Sequence, residues 1–219
     1  MNGSGLQSSG KTKLRGKMPF PSFIESSKDG DKAYDVYSRM LKDRIVFLTG
    51  EVEENMANHI VAQLLLLESQ NDKAPIHMYV NSPGGSVMQG LAIYDTMQYI
   101  QAPVFTTVIG QAASMGSLLA QAGEKRYITS NSRHMIHRVS SGTKGTSGSV
   151  HVQELEFEDA RRHFEESKKL NNLLTNIYVK HNTVGKTFEE LFEAMKFDSF
   201  LSAEESVAYG LADEVVEKR

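Results

Sequence analysis

Residues 76–100, IHMYVNSPGGSVMQGLAIYDTMQYI, contain the unit from which the fold can be predicted. IHMYV is an apolar run of strand length, and NSPGG is rich in turn-forming residues. The stretch that follows has large side chains at helical spacing: Leu91, Tyr94, Met97 and Ile100. The next segment, PVFTTVIG at 103–110, predicts a second strand. This order predicts a β-α-β unit of a parallel sheet.

The same order repeats on both sides of this unit. Residues 44–48 predict a strand, and VEENMANHIVAQLLLLESQ predicts a helix. The expected apolar face of that helix consists of Met56, Ile60, Val61, Leu64, Leu65 and Leu67. Beyond residue 110, SMGSLLAQAG predicts a helix, and KRYITS and RHMIH predict short strands. We therefore expect an α/β domain with helices covering a largely parallel sheet.

The C-terminal part of the sequence predicts a polar loop at 138–149 and one long helix at 152–181. The first half of this helix is highly charged, and its second half carries Leu170, Leu173, Leu174, Ile177 and Tyr178. Such an uneven apolar stripe favours a helix that projects and packs against another subunit. A solvated surface helix with salt-bridge pairs is the alternative. Further on, Ser202 is a plausible N-cap, with Glu205 at the capping-box position.

Composition limits the functional classes. The 219 residues suit one domain, and a net charge of -3 does not favour a nucleic-acid partner. The absence of cysteine excludes disulfides and thiol catalysis and fits a reducing compartment. No HExxH motif or tight ligand cluster predicts a metal, and no apolar run reaches the roughly 18 residues of a membrane span. The polar, basic segment 1–17 is expected to be a flexible tail or propeptide before a single domain at 18–219.

The stretch GQAASMG contains a serine, Ser114, just where a helix is expected to begin. A serine in this position is most often an N-cap. Small neighbours, Ala112, Ala113 and Gly116, would leave its hydroxyl open, and the backbone N–H groups of a helix start favour an oxyanion. Gly85, in NSPGG, can present another N–H without a side chain in the way. Ser114 is therefore a candidate nucleophile.

A nucleophilic serine needs a base, and the base needs an orienting acid. His137 ends the predicted strand RHMIH, and Asp198 lies in KFDSFLSA. Spacing alone cannot choose His137 over the rival histidines His134, His151, His163 and His181.

Four stretches together resemble the ClpP family, the proteolytic subunits of the ATP-dependent Clp protease. They are YSRMLKDRIVFLTGEVEENMANHIVAQLLLLES, YVNSPGGSVMQGLAIYDTMQYI, GQAASMGSLLAQAGEKRYITSNSRHMIH and FLSAEESVAYGLADEV. The resemblance implies a ClpP/crotonase-like fold with a protruding handle at about 138–180. It also implies a serine endopeptidase that cleaves unfolded polypeptides to short peptides through an acyl-enzyme. Ser114 would be the nucleophile, His137 the base and Asp198 the acid, and the backbone N–H groups of Gly85 and Met115 would form the oxyanion hole.

The resemblance further implies seven-membered rings stacked as a tetradecamer, with the active sites facing a closed chamber in the cytoplasm. A separate AAA+ Clp-type unfoldase would supply unfolded chains and use ATP, because this sequence has no GxxxxGK[ST] motif and no cofactor is expected in it. Three tyrosines match family positions that receive the unfoldase: Tyr79, Tyr99 and Tyr127. Three other positions have smaller or more polar residues than the family: His77, Thr107 and Thr129.

Two departures lie close to the expected site. Arg138 and Val139 stand where the family continues with Gln-Pro, and a longer polar loop follows. Phe197, preceded by Lys196, stands where the family commonly has an arginine that pairs across the ring interface. Substrate preference and ring-ring association are expected to differ accordingly.

Three alternatives remain at this point. The first is a non-catalytic ring subunit, an interaction protein beside active partners. The second is an acyl-CoA enzyme of the crotonase type, which shares the fold and an oxyanion hole. The third is a serine–lysine dyad peptidase, against which the MIH match argues.

Overall fold

The computed structural model describes residues 22–27, 30–139 and 154–218. The expected tail at 1–17 and residues 140–149 of the predicted polar loop lie outside them. The chain divides into two compact units, residues 1–39 and 40–219. The prediction of one peptidase domain at 18–219, with a handle region at about 138–180, stays a prediction.

In the first unit, β1 (Ser22–Ser27) and β2 (Gly30–Asp35) form an antiparallel hairpin, and α1 (Val36–Lys42) begins directly after it. The carboxylate of Asp35 accepts hydrogen bonds from the hydroxyl of Ser38 at 2.6 Å and from its N–H at 2.9 Å. These bonds stabilise the start of α1 and hold the pKa of Asp35 below its usual value.

The second unit is built on a seven-stranded sheet, and the predicted α/β fold with a largely parallel sheet is confirmed. Five parallel strands lie in the order β3-β4-β5-β6-β9, β7 pairs in parallel with β5, and β8 pairs antiparallel with β7. The strands are β3 (Ile45–Val52), β4 (Ile76–Gly85), β5 (Val104–Ala113), β6 (Lys125–Thr129), β7 (Arg133–Ile136), β8 (Ser199–Leu201) and β9 (Glu214–Val216).

Helices connect these strands and cover the sheet. They are α2 (Glu54–Gln70), α3 (Val87–Tyr99), α4 (Met115–Gln121), α5 (Glu154–His181), α6 (Phe188–Ala194) and α7 (Ala203–Ala208). α2 packs on β3 and α3, and α4 packs on β4 and β5. The predicted capping box of Ser202 and Glu205 is confirmed at the start of α7.

The buried face of α2 is narrower than predicted. Ala57, Ile60, Leu64 and Leu67 are buried, but Leu65 is 43% exposed. Successive helical residues are about 100° apart, so Leu65 points away from the arc that Ile60 and Leu64 share. The prediction that Leu65 belongs to the core face was therefore wrong.

The NSPGG segment is part of β4 and does not end the strand as predicted. Glu51 pairs with Gly84 and Val52 with Gly85, after a register shift near residue 50. Gly85 has a φ of +151°, and a Cβ there would collide with the backbone of Val52. Glycine lets the strand stay paired in a conformation that other residues avoid, so the turn-forming composition was misleading.

The long helix predicted at 152–181 is confirmed as α5. Its C-terminal part enters the core, where Thr175, Ile177 and Tyr178 are buried, whereas Phe164 and Leu173 are exposed. Exposed ion pairs such as Arg161–Glu158, at 2.9 Å, lie along its first half. The exposed ion pairs fit the alternative of a solvated surface helix for the first half of α5. The packing of α5 against another subunit stays a prediction.

Arg44 joins the start of β3 to the end of α2. Its guanidinium donates hydrogen bonds to the carbonyls of Leu67, Asn71, Ala74 and Pro75, at 2.8 to 3.1 Å. The guanidinium of an arginine spreads five N–H donors over three nitrogens, whereas a lysine ammonium has three donors on one nitrogen and cannot reproduce this set of contacts.

We expect Arg44→Lys to lower the thermal denaturation midpoint by about 5 °C, because carbonyls at the helix end lose donors worth about 2 kcal/mol. Scanning calorimetry at one protein concentration measures it. Arg161→Lys is the matched control, since its exposed ion pair contributes little. Equal midpoints for Arg44→Lys and the wild type would contradict the stabilising role of Arg44.

Candidate active site

Ser114 occupies the turn between β5 and α4. Its φ of 53° and ψ of -121° are unusual for a residue other than glycine, and its side chain makes no N-capping hydrogen bond. Sharp strand-to-helix turns of this kind present a serine hydroxyl at the edge of a sheet. The side chain of Ser114 therefore does not act as an N-cap.

Gly84 explains how this turn fits against β4. A Cβ at Gly84, where φ is +92°, would lie 2.7 Å from the Cβ of Ser114 and 3.0 Å from the backbone nitrogen of Met115. Only a residue without a side chain permits this approach. The NSPGG and GQAASMG segments therefore meet at the carboxyl ends of neighbouring parallel strands, where sites of α/β sheets usually lie.

The register of three strands brings Ser114, His137 and Asp198 together. Ala113 of β5 pairs with Met135 of β7, and Ile136 of β7 pairs with Ser199 of β8. Ser114 follows Ala113 in the chain, His137 follows Ile136, and Asp198 precedes Ser199. Extending the antiparallel register by one residue sets His137 opposite Asp198, although 61 residues separate them in sequence.

The three side chains form a continuous chain of hydrogen bonds. Nε2 of His137 lies 2.8 Å from Oγ of Ser114, and Nδ1 lies 3.0 Å from Oδ1 of Asp198. A proton on Nδ1 donates to the carboxylate and leaves the Nε2 lone pair to accept from the serine hydroxyl. This arrangement can take a proton from the hydroxyl and stabilise the positive charge that forms on the ring.

The rival histidines are placed elsewhere. His134 is buried against Ser117, His181 lies 3.0 Å from the hydroxyl of Tyr94, and His163 pairs with Asp159 on the surface of α5. His151 lies outside the described residues. Tertiary structure thus selects His137 among the described candidates, which spacing could not do.

A cavity of about 270 Å³ adjoins Ser114 and His137. Its other lining residues are mainly apolar: Gly85, Val87, Met115, Leu118, Val139, Asn171, Leu174, Tyr178 and Met195. No sequence pattern indicated a site role for Asn171, Leu174, Tyr178 or Met195. Leu174 and Tyr178 were noted as apolar positions of the long helix, but periodicity could not show that this face reaches the serine.

The segment after His137 is held by backbone hydrogen bonds. The N–H of Arg138 donates to the carbonyl of Met195 at 2.8 Å, and the N–H of Val139 donates to Oδ1 of Asn171 at 2.8 Å. The guanidinium of Arg138 lies 3.8 Å from the centre of the Phe192 ring. The unusual Arg-Val pair thus anchors the end of this segment to α5 and α6.

Phe197 and Lys196, the two residues before Asp198, differ in their contacts. The Phe197 side chain is 75% exposed. The Nζ of Lys196 is paired with Glu193, near the end of the preceding helix α6, at 3.1 Å. Within this chain, Lys196 is therefore engaged locally, and Phe197 presents an apolar ring at the position where the family resemblance predicts an arginine.

The three tyrosines predicted to dock a partner do not all lie together. Tyr79 and Tyr127 line one cavity of about 720 Å³, and the family departures His77, Thr107 and Thr129 line it too. Tyr99, at the end of α3, is exposed and is not among the residues of this cavity. Tyr79 also stacks on Phe47, with ring centres 5.8 Å apart.

No helix in the described part of the chain is both long enough and apolar enough to cross a membrane. Across residues 22–27, 30–139 and 154–218, no group of three or more histidine and carboxylate side chains could hold a metal ion.

A comparison with protein families complements this geometry. Residues 28–219 match the family model described as Clp protease. The match covers β2, the whole sheet of the second unit and the three residues of the hydrogen-bonded chain.

Proposed function

Because the chain belongs to the Clp protease family, we propose that it is a serine endopeptidase subunit that hydrolyses peptide bonds through Ser114, His137 and Asp198. Family membership itself supports a ClpP-like peptidase that assembles with other subunits and works with Clp unfoldases. The observation that carries the serine mechanism is the unbroken hydrogen-bonded chain, at 2.8 Å and 3.0 Å.

In the proposed acylation step, Oγ of Ser114 attacks the carbonyl carbon of the scissile peptide bond while Nε2 of His137 accepts the hydroxyl proton. Asp198 keeps the ring oriented and stabilises the imidazolium. The tetrahedral intermediate then collapses, the C–N bond breaks, and His137 gives its proton to the leaving amine. Water, deprotonated by His137, hydrolyses the acyl-enzyme and restores the serine.

The oxyanion of the intermediate would be bound by the backbone N–H groups of Gly85 and Met115. Met115 is the first residue of α4, and first-turn N–H groups have no acceptor within the helix. Gly85 lines the same cavity as Ser114 and carries no side chain that could block its N–H. Removal of one such donor typically slows acyl transfer by 10²- to 10³-fold, that is, by about 3 kcal/mol.

We also propose that the active particle is a tetradecamer of two heptameric rings with a closed chamber in the cytoplasm. A separate AAA+ unfoldase would feed unfolded polypeptides to it and hydrolyse ATP. The cavity lined by Tyr79 and Tyr127 supports a docking site for apolar groups, and Tyr99 would contribute only from a neighbouring surface. No cofactor takes part in the proposed reaction.

Sedimentation velocity, with hydrolysis of a fluorogenic peptide followed on the same fractions, tests this proposal. Labelling of Ser114 by a fluorophosphonate, located by mass spectrometry, tests the nucleophile directly. A tetradecamer-sized species that cleaves the peptide and is labelled at Ser114 is expected. A particle of any size that is neither labelled nor active would contradict the serine mechanism and favour a non-catalytic subunit.

A further inference from the structure

The backbone of Ser114 is strained and needs support. Among the described residues other than glycine, only Ser114 and Arg44 have a positive φ. A residue in this region persists only where its surroundings determine its conformation. The groups that hold the backbone of Ser114 therefore also set the direction of its hydroxyl.

The carbonyl of Ser114 accepts three hydrogen bonds. Two come from the N–H groups of Ser117 and Leu118, at 3.0 and 3.2 Å, and belong to the first turn of α4. The third comes from the hydroxyl of Tyr178 at 3.3 Å, across from α5. Tyr178 is only 3% exposed, so little water competes for this bond.

Two further buried polar groups extend this contact. Burial raises the pKa of the Tyr178 hydroxyl, and the neighbouring hydroxyl of Ser117 acts on it in the opposite direction. Oγ of Ser117 also lies 2.8 Å from Nδ1 of His134. A row of buried polar groups thus runs from His134 through Ser117 and Tyr178 to the carbonyl of Ser114, with a hydrogen bond at each of its two ends.

The direction of the hydrogen bonds in this row follows from the protonation of His134. Burial, and then the charge of Arg126, lower the pKa of His134 to about 4, so the neutral ring carries one N–H near pH 7. Nε2 of His134 has no partner within the described part of the chain. A buried N–H without an acceptor is rarer than an unpaired lone pair, so the proton belongs on Nδ1.

With this tautomer each donor has an acceptor. Nδ1–H of His134 donates to Oγ of Ser117, which leaves the Ser117 hydroxyl proton available to the oxygen of Tyr178, and the Tyr178 hydroxyl donates to the carbonyl of Ser114. The opposite direction would turn the Tyr178 hydroxyl away from Ser114.

We propose that Tyr178 is a positioning residue for the nucleophile, and that Ser117 and His134 orient its hydroxyl toward the carbonyl of Ser114. The inference rests on the proposed function, because it concerns the aim of the Ser114 hydroxyl. It also links α5 to the reacting atoms, since a displacement of α5 would withdraw the Tyr178 donor. Tyr178 lines the site cavity as well, so the test must separate positioning from substrate contact.

Tyr178→Phe keeps the buried ring and removes the hydroxyl. We expect kcat for a fluorogenic peptide and the rate of fluorophosphonate labelling at Ser114 each to fall about tenfold, with KM unchanged. A residue that only contacted substrate would instead raise KM and leave kcat unchanged.

Tyr94→Phe is the matched control. Tyr94 is also buried, at 6% exposed, and its hydroxyl lies 3.0 Å from Nε2 of His181, the last residue of α5. Its loss should lower the thermal midpoint about as much as Tyr178→Phe and leave kcat at the wild-type value. An equal fall of kcat in both variants would show general loosening and overturn the inference.

Ser117→Ala tests the row from its other side and keeps the inference testable should Tyr178→Phe fold poorly. We expect a lower kcat for Ser117→Ala, and no further loss when it is added to Tyr178→Phe, because both act through one donor. If the losses of kcat in the two single variants added up in the double variant, Ser117 would not act through Tyr178, and the inference would be overturned.

The wild-type protein separates this inference from the proposed function. If it is not labelled at Ser114, the proposed function fails, and the inference fails with it. If it is labelled and active while Tyr178→Phe keeps full kcat, the inference alone fails.

Discussion

Ser114→Ala is expected to reduce peptide hydrolysis to background, a loss of about 10⁴-fold or more in kcat. The variant lacks the oxygen that would form the acyl-enzyme, and the remaining donors can only bind the carbonyl of a substrate that nothing attacks. Initial rates on a fluorogenic peptide, measured on a gel-filtered sample of known sedimentation coefficient, give this loss. The sedimentation coefficient itself should not change, because alanine retains the backbone contacts of the turn.

Ser130→Ala serves as the control for this experiment. Ser130 is exposed in the turn between β6 and β7, and its replacement should leave kcat at the wild-type value. Activity of purified Ser114→Ala above one per cent of the wild type, with labelling at another serine, would contradict the assignment of Ser114.

Asp198→Asn is expected to lower kcat by about 10³-fold and to leave KM within about twofold. The asparagine amide can present an N–H to Nδ1, which favours the tautomer whose Nε2 cannot accept the serine proton. The loss reaches about 10⁴-fold where such an acid is buried. Asp198 is 58% exposed, so water can partly replace it and we expect the smaller value. Steady-state kinetics on the same peptide measure both constants.

Asp159→Asn is the matched control for Asp198→Asn. Asp159 also faces an imidazole, that of His163 at 3.4 Å, but this pair lies on the surface of α5. Loss of the Asp159 carboxylate should change neither kcat nor KM. If Asp198→Asn turned over as fast as Asp159→Asn, another acid would orient His137.

Arg138, Lys196 and Phe197, which depart from the family pattern, each have a defined environment in the structure. Arg138 is held by the carbonyl and ring of Phe192, so the unusual pair after His137 is built into the chain's own packing. Lys196 is paired with Glu193 of α6, and the Phe197 ring is exposed. We therefore expect Phe197 to meet an apolar surface in any assembly of rings.

Local sequence determined the secondary structure and the candidates for the chemistry. Alternating and helical periodicities predicted the β-α-β order and α5, because burial on one face imposes a period on the chain. Two predictions were wrong because they used neighbouring residues only. Leu65 belongs to an apolar run but does not lie on the buried face of α2. The glycines of NSPGG were expected to end the strand, but they continue β4 because β3 pairs with them. The identity of Ser114 as the candidate nucleophile rested on its small neighbours and on the family resemblance.

Tertiary structure alone decided which candidates meet. His134 lies in β7, and His137 directly follows the end of this strand. Because the two are an odd number of residues apart, the alternation of the strand sends His134 into the core and His137 to Ser114. Asp198 joins them because β8 pairs antiparallel with β7, a contact between residues about 60 positions apart that no local pattern records. The hydroxyl of Tyr178 reaches Ser114 only because α5 packs its C-terminal part into the core. Periodicity specifies which side of an element is buried, but it carries no information about which distant element lies against that side, and the distances between reacting groups depend on that choice.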